Sequence, residues 1–197
     1  MSDKYGTGQD RQYCYLDSPV LINRLGIREE EALEAAEIAL TEARIEKFEP
    51  NFDDISLTAL KSIHHHLFQD LYEWAGEIRT VDVSKGSTRF ANVSRITPEA
   101  DKLFLQFANE RHLTGLPHLQ FVARLAHYYC ELNVIHPFRD GNGRAQRLLF
   151  EIIGLNAGYA LRWEPIGPAE WVDANIAAYN CQLAPMIALL DRALERV

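Results

Sequence analysis

The chain has 197 residues, enough for one domain with a substantial core. At 47% hydrophobic and 24% charged it has an ordinary globular composition, and a net charge of −8 argues against a nucleic-acid or anionic-membrane surface. Cys14, Cys130 and Cys181 are odd in number and widely spaced, which argues against a disulfide framework. No run of about 18 apolar residues occurs and Met1-Ser-Asp-Lys-Tyr lacks a signal-peptide core, so the sequence reads as cytoplasmic, with no membrane partner.

In chain order, Met1 to Asp17 is polar and aromatic and reads as an arm laid over the domain. Glu29 to Phe48 carries Leu33, Ala36, Leu40 and Ala43 at helical spacing among glutamates, an amphipathic helix. A Pro/Asn/Asp loop follows, then a helix from Thr58 to Trp74 that Gly76 stops. Within it His64-His65-His66 invites a metal reading. Consecutive helical residues point in different directions and cannot share one ion well, so helix surface is the expectation.

Thr80 to Phe90 alternates around Lys85-Gly86-Ser87 and is the one good hairpin candidate. Thr97-Pro98 reads as the cap and first position of a helix reaching about His112. Phe121 to Leu132 and Leu148 to Leu155 are both apolar at helical spacing, the second running to near Gly158. Gly167-Pro168 opens a helix with Trp171, Ala174 and Ala178, and Pro185 to Arg196 closes the chain as another. The expected fold is all-α: one domain over 1–197 with a small β-hairpin.

Between the two apolar helices lies His136-Pro-Phe-Arg-Asp-Gly-Asn-Gly-Arg-Ala-Gln-Arg147. A glycine-rich turn opening a helix exposes unpaired N–H groups at the positive end of the helix dipole, which suits a phosphate. His136 has an ordinary pKa near neutrality and can take a proton from an attacking hydroxyl. Asp140 is a hard oxygen ligand of the kind Mg²⁺ accepts beside phosphate oxygens. Gly141 and Gly143 let backbone approach an anion, and Asn142 tolerates unusual dihedrals and adds an amide donor. Arg144 and Arg147 are three apart, so one helix face presents both to a polyphosphate. These groups make a nucleotidyl- or phosphoryl-transfer site.

The run matches H-x-F-x-[D/E]-G-N-G-R-x-x-R at all eight defined positions and so resembles the Fic (Fic/Doc, fido) family. Trp74-Ala-Gly-Glu-Ile-Arg79 resembles the segment leading into that family's flap, Val81 to Phe90 the flap, and Tyr15 to Ile27 the start of short bacterial Fic proteins. The resemblance implies a protein adenylyltransferase. His136 would deprotonate a Tyr, Ser or Thr hydroxyl, Asp140 would hold Mg²⁺, and Gly141, Asn142 and Gly143 would form the anion hole. Arg144 and Arg147 would hold the β- and γ-phosphates of ATP, while Phe138 would point into the core. Lys at position 143 marks the phosphorylating Doc branch, so Gly143 favours AMP transfer.

In the family the flap pairs with an extended target segment. Lys85, Gly86 and Ser87 would lie over the nucleotide and Phe90 would pin the target loop. Trp171, Asn175 and Tyr179 are the resemblance's candidates for the adenine pocket. No Ser or Thr begins the inhibitory pattern [S/T]-x-x-x-E-[G/N]. By family logic the chain is then a stand-alone toxin type, restrained by a small antitoxin with a Glu-bearing helix, and a type II topoisomerase is the candidate target. Two alternatives remain: transfer of UMP or phosphocholine, and a catalytically silent nucleotide-binding module.

Overall fold

A computed structural model describes residues 12–86 and 88–197. Ser87 and the first eleven positions of the expected arm lie outside the described residues. Helix α1 (Glu30–Ile45) opens with Glu30 and Glu31, charges that suit a helix N-terminus, and buries Leu33 and Thr41. Helix α2 (Leu57–Phe68) is capped by Ser56, whose Oγ accepts from the Ala59 N–H at 3.1 Å. It ends well before Trp74. Turns over 68–77 keep Leu71, Tyr72 and Ala75 in the core, so apolar spacing continues past the point where helical hydrogen bonding stops.

Strands β1 (Ser84–Lys85) and β2 (Thr88–Arg89) form the expected hairpin, antiparallel, with Ser84 opposite Arg89 and Lys85 opposite Thr88. Helix α3 (Val93–Asn109) starts before the expected Thr97 cap and carries Pro98 inside it. The start is set from the flap: the Asp82 carboxylate accepts from the Val93 N–H at 2.8 Å and from Asn92 Nδ2 at 2.7 Å. A cap supplied by a residue eleven positions upstream outweighs a local Thr-Pro signal.

Helices α4 (His118–Ile135) and α5 (Asn142–Asn156) form the centre of the molecule. Helix α2 packs on α5, while α3 and α7 pack on α4, so most of the apolar residues of the two central helices are buried. Strand β3 (Tyr159–Leu161) follows, then α6 (Pro168–Tyr179), α7 (Ala184–Ala193) and β4 (Leu194–Arg196). The expected closing helix to Arg196 therefore ends early. Its last three residues pair antiparallel with β3, Leu194 opposite Leu161, a second small sheet whose partners are too far apart in sequence to leave a hairpin signal.

His64 corrects the surface expectation for the histidine run: it is fully buried, stacked between Phe138 and Phe68, while His65 is exposed. Tyr13 of the described part of the arm is also buried, edge-on to Trp74, and its hydroxyl accepts from the Thr80 N–H at 3.1 Å. Among the described residues no helix is long and apolar enough to cross a membrane.

Candidate active site

His136 is the residue at which α4 ends. It has left-handed dihedrals, φ 49° and ψ 64°, uncommon for a side-chain-bearing residue. Its Nδ1 lies 3.2 Å from the Asn133 carbonyl oxygen. A carbonyl only accepts, so Nδ1 carries the proton and the basic lone pair falls on Nε2. The ring stacks on Phe90, with 3.7 Å between centroids and 13° between planes, and the residue is 7% exposed. Burial pushes its pKa down to about 3, the charges of Arg79 and Lys85 push the same way, and the bond to Asn133 opposes them. The imidazole is therefore neutral at physiological pH, the form a general base requires.

The loop that follows is held by side chains. Phe138 is fully buried against His64, ring centroids 3.9 Å apart. His64 accepts the Gly76 N–H on Nδ1 at 2.8 Å, so its Nε2 carries a proton, which it donates to the Asp140 carbonyl at 2.9 Å. Burial holds His64 neutral, with its pKa pushed down to about 3. Asn142 corrects an expectation. Its Nδ2 donates to the Phe138 carbonyl and its Oδ1 accepts the Phe138 N–H, both at 2.8 Å. That amide closes the loop, and both of its polar atoms are bonded to the Phe138 backbone.

The two glycines differ in their reasons. Gly141, at φ +75°, would place a Cβ 2.4 Å from the Phe68 ring, so the fold itself demands glycine there. At Gly143 a Cβ would meet no protein atom within 4 Å, and the residue is exposed. The first turn of α5 thus opens outward with no side-chain cap on its N–H groups, the arrangement that binds anions. Beside it the Gly141 N–H donates to Asp140 Oδ1 at 2.6 Å.

Arg144 and Arg147, expected to hold phosphates together, have different protein partners. Arg144 reaches back to α1, where its Nη2 donates to Glu37 Oε1, and its guanidinium lies 4.6 Å from the Phe68 ring centroid. The other Glu37 oxygen accepts the buried Tyr72 hydroxyl at 2.5 Å. Arg144 therefore ties the start of α5 to α1 and α2. Arg147 lies over two indoles, 5.4 Å from the Trp171 centroid and 5.7 Å from that of Trp163, and its buried Nε has no hydrogen-bond partner among the described residues. It is the motif arginine that suits an incoming anion.

The adenine candidates separate in the same way. Trp171 packs edge-on against Tyr129 and Trp163 beneath Arg147. Asn175 donates to the Trp171 carbonyl at 2.7 Å and accepts from Asn133 Nδ2 at 2.9 Å, joining α6 to the residue that orients His136. Tyr179 is exposed on the last turn of α6. On the flap, Lys85 and Gly86 are exposed, while Phe90 is half-buried with its ring stacked on that of His136. Sequence reasoning missed the support of His64, Arg79, Glu37, Tyr72 and Asn133. Only Arg79 carried a signal, as the end of the Trp74–Arg79 segment.

Residues 54–153 match the model of the Fic/DOC family. The chain belongs to that family. It is 42% identical over 195 residues to a Salmonella typhimurium protein named "Probable protein adenylyltransferase Fic", covering 99% of this chain and 97% of that one. It is 38% identical over 191 residues to the protein adenylyltransferase VbhT of Bartonella schoenbuchensis, covering 95% of this chain and 40% of VbhT. Among solved structures, the Bartonella tribocorum effector BepC with bound AMPPNP superposes with a TM-score of 0.89 at 25% identity, covering 97% of this chain and all of that one. The Fic domain of a VirB-translocated effector from Bartonella quintana with bound ADP gives 0.88 at 28% identity, covering 94% and 95%.

Proposed function

We propose that this chain transfers AMP from ATP to a Tyr, Ser or Thr hydroxyl of a target protein. One observation carries the reading: a neutral histidine of defined tautomer leads directly into an uncapped helix start. His136 Nε2 takes the hydroxyl proton as the oxygen attacks the α-phosphorus. The bond from that phosphorus to the bridging oxygen of the β-phosphate breaks, and pyrophosphate leaves. The N–H groups at the start of α5 receive the phosphate oxygens, and Gly143 leaves them approachable.

Arg147 offers a guanidinium with an unused buried N–H to the outer phosphates. Asp140 fits Mg²⁺ in the sparse manner that ion accepts. Its Oδ1 sits at the start of α5 on the Gly141 N–H, where the carboxylate would share the ion with phosphate oxygens and water. Such an ion would neutralise charge on the triphosphate.

The same reading gives the chain a toxin's role with a separate inhibitor. It is supported by a sequence without the [S/T]-x-x-x-E-[G/N] pattern and by the available Arg147, beside which a foreign glutamate would dock. A topoisomerase subunit is the first target to try. Incubation with α-labelled ATP, UTP or GTP and a cell lysate tests the core proposal. Label from ATP that vanishes in His136→Ala supports it. Label from another nucleotide, or from none, overturns it in favour of a different donor or a silent binding module.

A further inference from the structure

Arg79 is among the most deeply buried large side chains of the molecule, at 1% exposure, and it lies outside the signature motif. Burying a guanidinium costs several kcal/mol unless its donors are matched. Here they are matched almost wholly by backbone. Nε donates to the His136 carbonyl at 2.8 Å and Nη1 to the Val81 carbonyl at 2.6 Å; Nη2 donates to the Ala91 carbonyl and, at 3.5 Å, to that of Ile135. The nearest carboxylate, Asp82, is 3.9 Å away and mostly exposed.

The acceptors have a pattern. A helix leaves its last carbonyls without intrahelical partners, and glycine in a left-handed conformation is the common way to end one. Helix α4 ends on a left-handed histidine instead, and its final carbonyls are taken in order. Val134 accepts from the Ala91 N–H at 3.0 Å, Ile135 and His136 from the Arg79 side chain, and Pro137 from the Arg79 N–H at 2.9 Å. Two of the guanidinium's other acceptors, Val81 and Ala91, are the roots at which the flap leaves and rejoins the domain. One planar cation therefore joins the backbone of the base to both ends of the hairpin whose Phe90 covers that base.

We propose that Arg79 is a positioning residue for the transfer reaction: it caps α4, holds His136 in its left-handed conformation, and ties that conformation to the flap. The inference rests on His136 being the base. Lysine cannot replace it, because an ammonium is a point donor and lacks the planar fork that reaches carbonyls on three segments.

The test compares Arg79→Lys and Arg79→Met with the unaltered protein. Expected for both are a kcat for labelled AMP transfer lower by about 100-fold, the usual cost of misplacing a catalytic group by about 1 Å, and a KM for ATP within about threefold. Nucleotide contacts at the start of α5 remain in place, which keeps KM steady. Histidine NMR supplies a readout independent of activity. Among the described residues, the groups that bear on the His136 ring include the Asn133 carbonyl, Arg79, Lys85 and Phe90. With the clamp loosened, the His136 resonance, assigned by its loss in His136→Ala, should titrate closer to the ordinary value of about 6.5.

An activity loss that only tracks the folded fraction, with His136 titrating as before, overturns the proposal. So does failure of both variants to fold, which assigns Arg79 to the fold and not to the base. If the unaltered protein labels nothing, the transfer reading fails by itself, and the NMR comparison still decides whether Arg79 places His136.

Discussion

The rings of Phe90 and His136 lie face to face, 3.7 Å apart, and this stack joins the flap to the catalytic loop. Removing it in Phe90→Ala lets water reach the imidazole. Burial is the main cause of the depressed His136 pKa, so the pKa rises from about 3 toward the ordinary value. The protonated ring cannot act as a base, so the acid limb of the transfer rate moves to higher pH. A pH–rate profile of the variant against the parent reads this directly; superimposable limbs would show that Phe90 does not shield the base.

Glu37 and Arg144 form a partly buried pair, with side chains 15% and 29% exposed, and Tyr72 adds a hydroxyl to the same carboxylate. Arg144→Ala and Glu37→Ala should each lower stability, and the double variant should lose less than the sum. The expected coupling is about 1–3 kcal/mol by urea unfolding. Affinity for ATP should be nearly unchanged in Arg144→Ala and clearly weaker in Arg147→Ala. Equal losses by calorimetry would restore both arginines to the phosphate clamp.

Gly141 and Gly143 should respond oppositely to alanine. At Gly141 the new methyl would meet Phe68 and the backbone would be strained, a loss of roughly 2–4 kcal/mol. At Gly143 the methyl meets no protein atom and replaces glycine in a helix, so thermal stability holds or rises slightly. Nucleotide binding is where Gly143→Ala should fail, because the methyl stands over the N–H groups of the first turn. Intact ATP affinity in that variant would remove the anion nest from the proposal.

Acid should unfold this protein early. His64 and His136 each have a folded-state pKa near 3 against about 6.5 unfolded, both through burial. Between those values the unfolded chain binds the extra protons, so stability falls as pH drops. Each histidine contributes up to about 1.4 kcal/mol per pH unit. The contribution is fully present above about pH 6.5 and is lost steadily below it. Urea midpoints at pH 7, 6 and 5 measure the slope. His64→Gln should flatten it, whereas an unaltered slope would assign acid sensitivity to other groups.

The helical order of the chain is legible in its apolar spacing, and the twelve residues from His136 to Arg147 by themselves point to a phosphate site. Boundaries were less legible where the deciding group was distant. The start of α3 depends on Asp82, and β4 exists only because β3 lies beside it. Side chains of one type also divided their tasks without a sign in the sequence. Asn142 spends its amide on Phe138 and Arg144 its charge on Glu37, while Arg147 lies over two indoles with its Nε–H unmatched.

By itself the sequence determined the candidate groups and their order, because histidine, carboxylate, glycines and arginines follow one another along a single loop and helix start. Only the tertiary structure decided how those groups are held: His64 on the Asp140 carbonyl, Arg79 on the end of α4, Phe90 over the base. The physical reason is that these supports grip backbone carbonyls and ring faces. Every residue carries a carbonyl whatever its side chain, so the partner in such a bond leaves no mark in the amino-acid order.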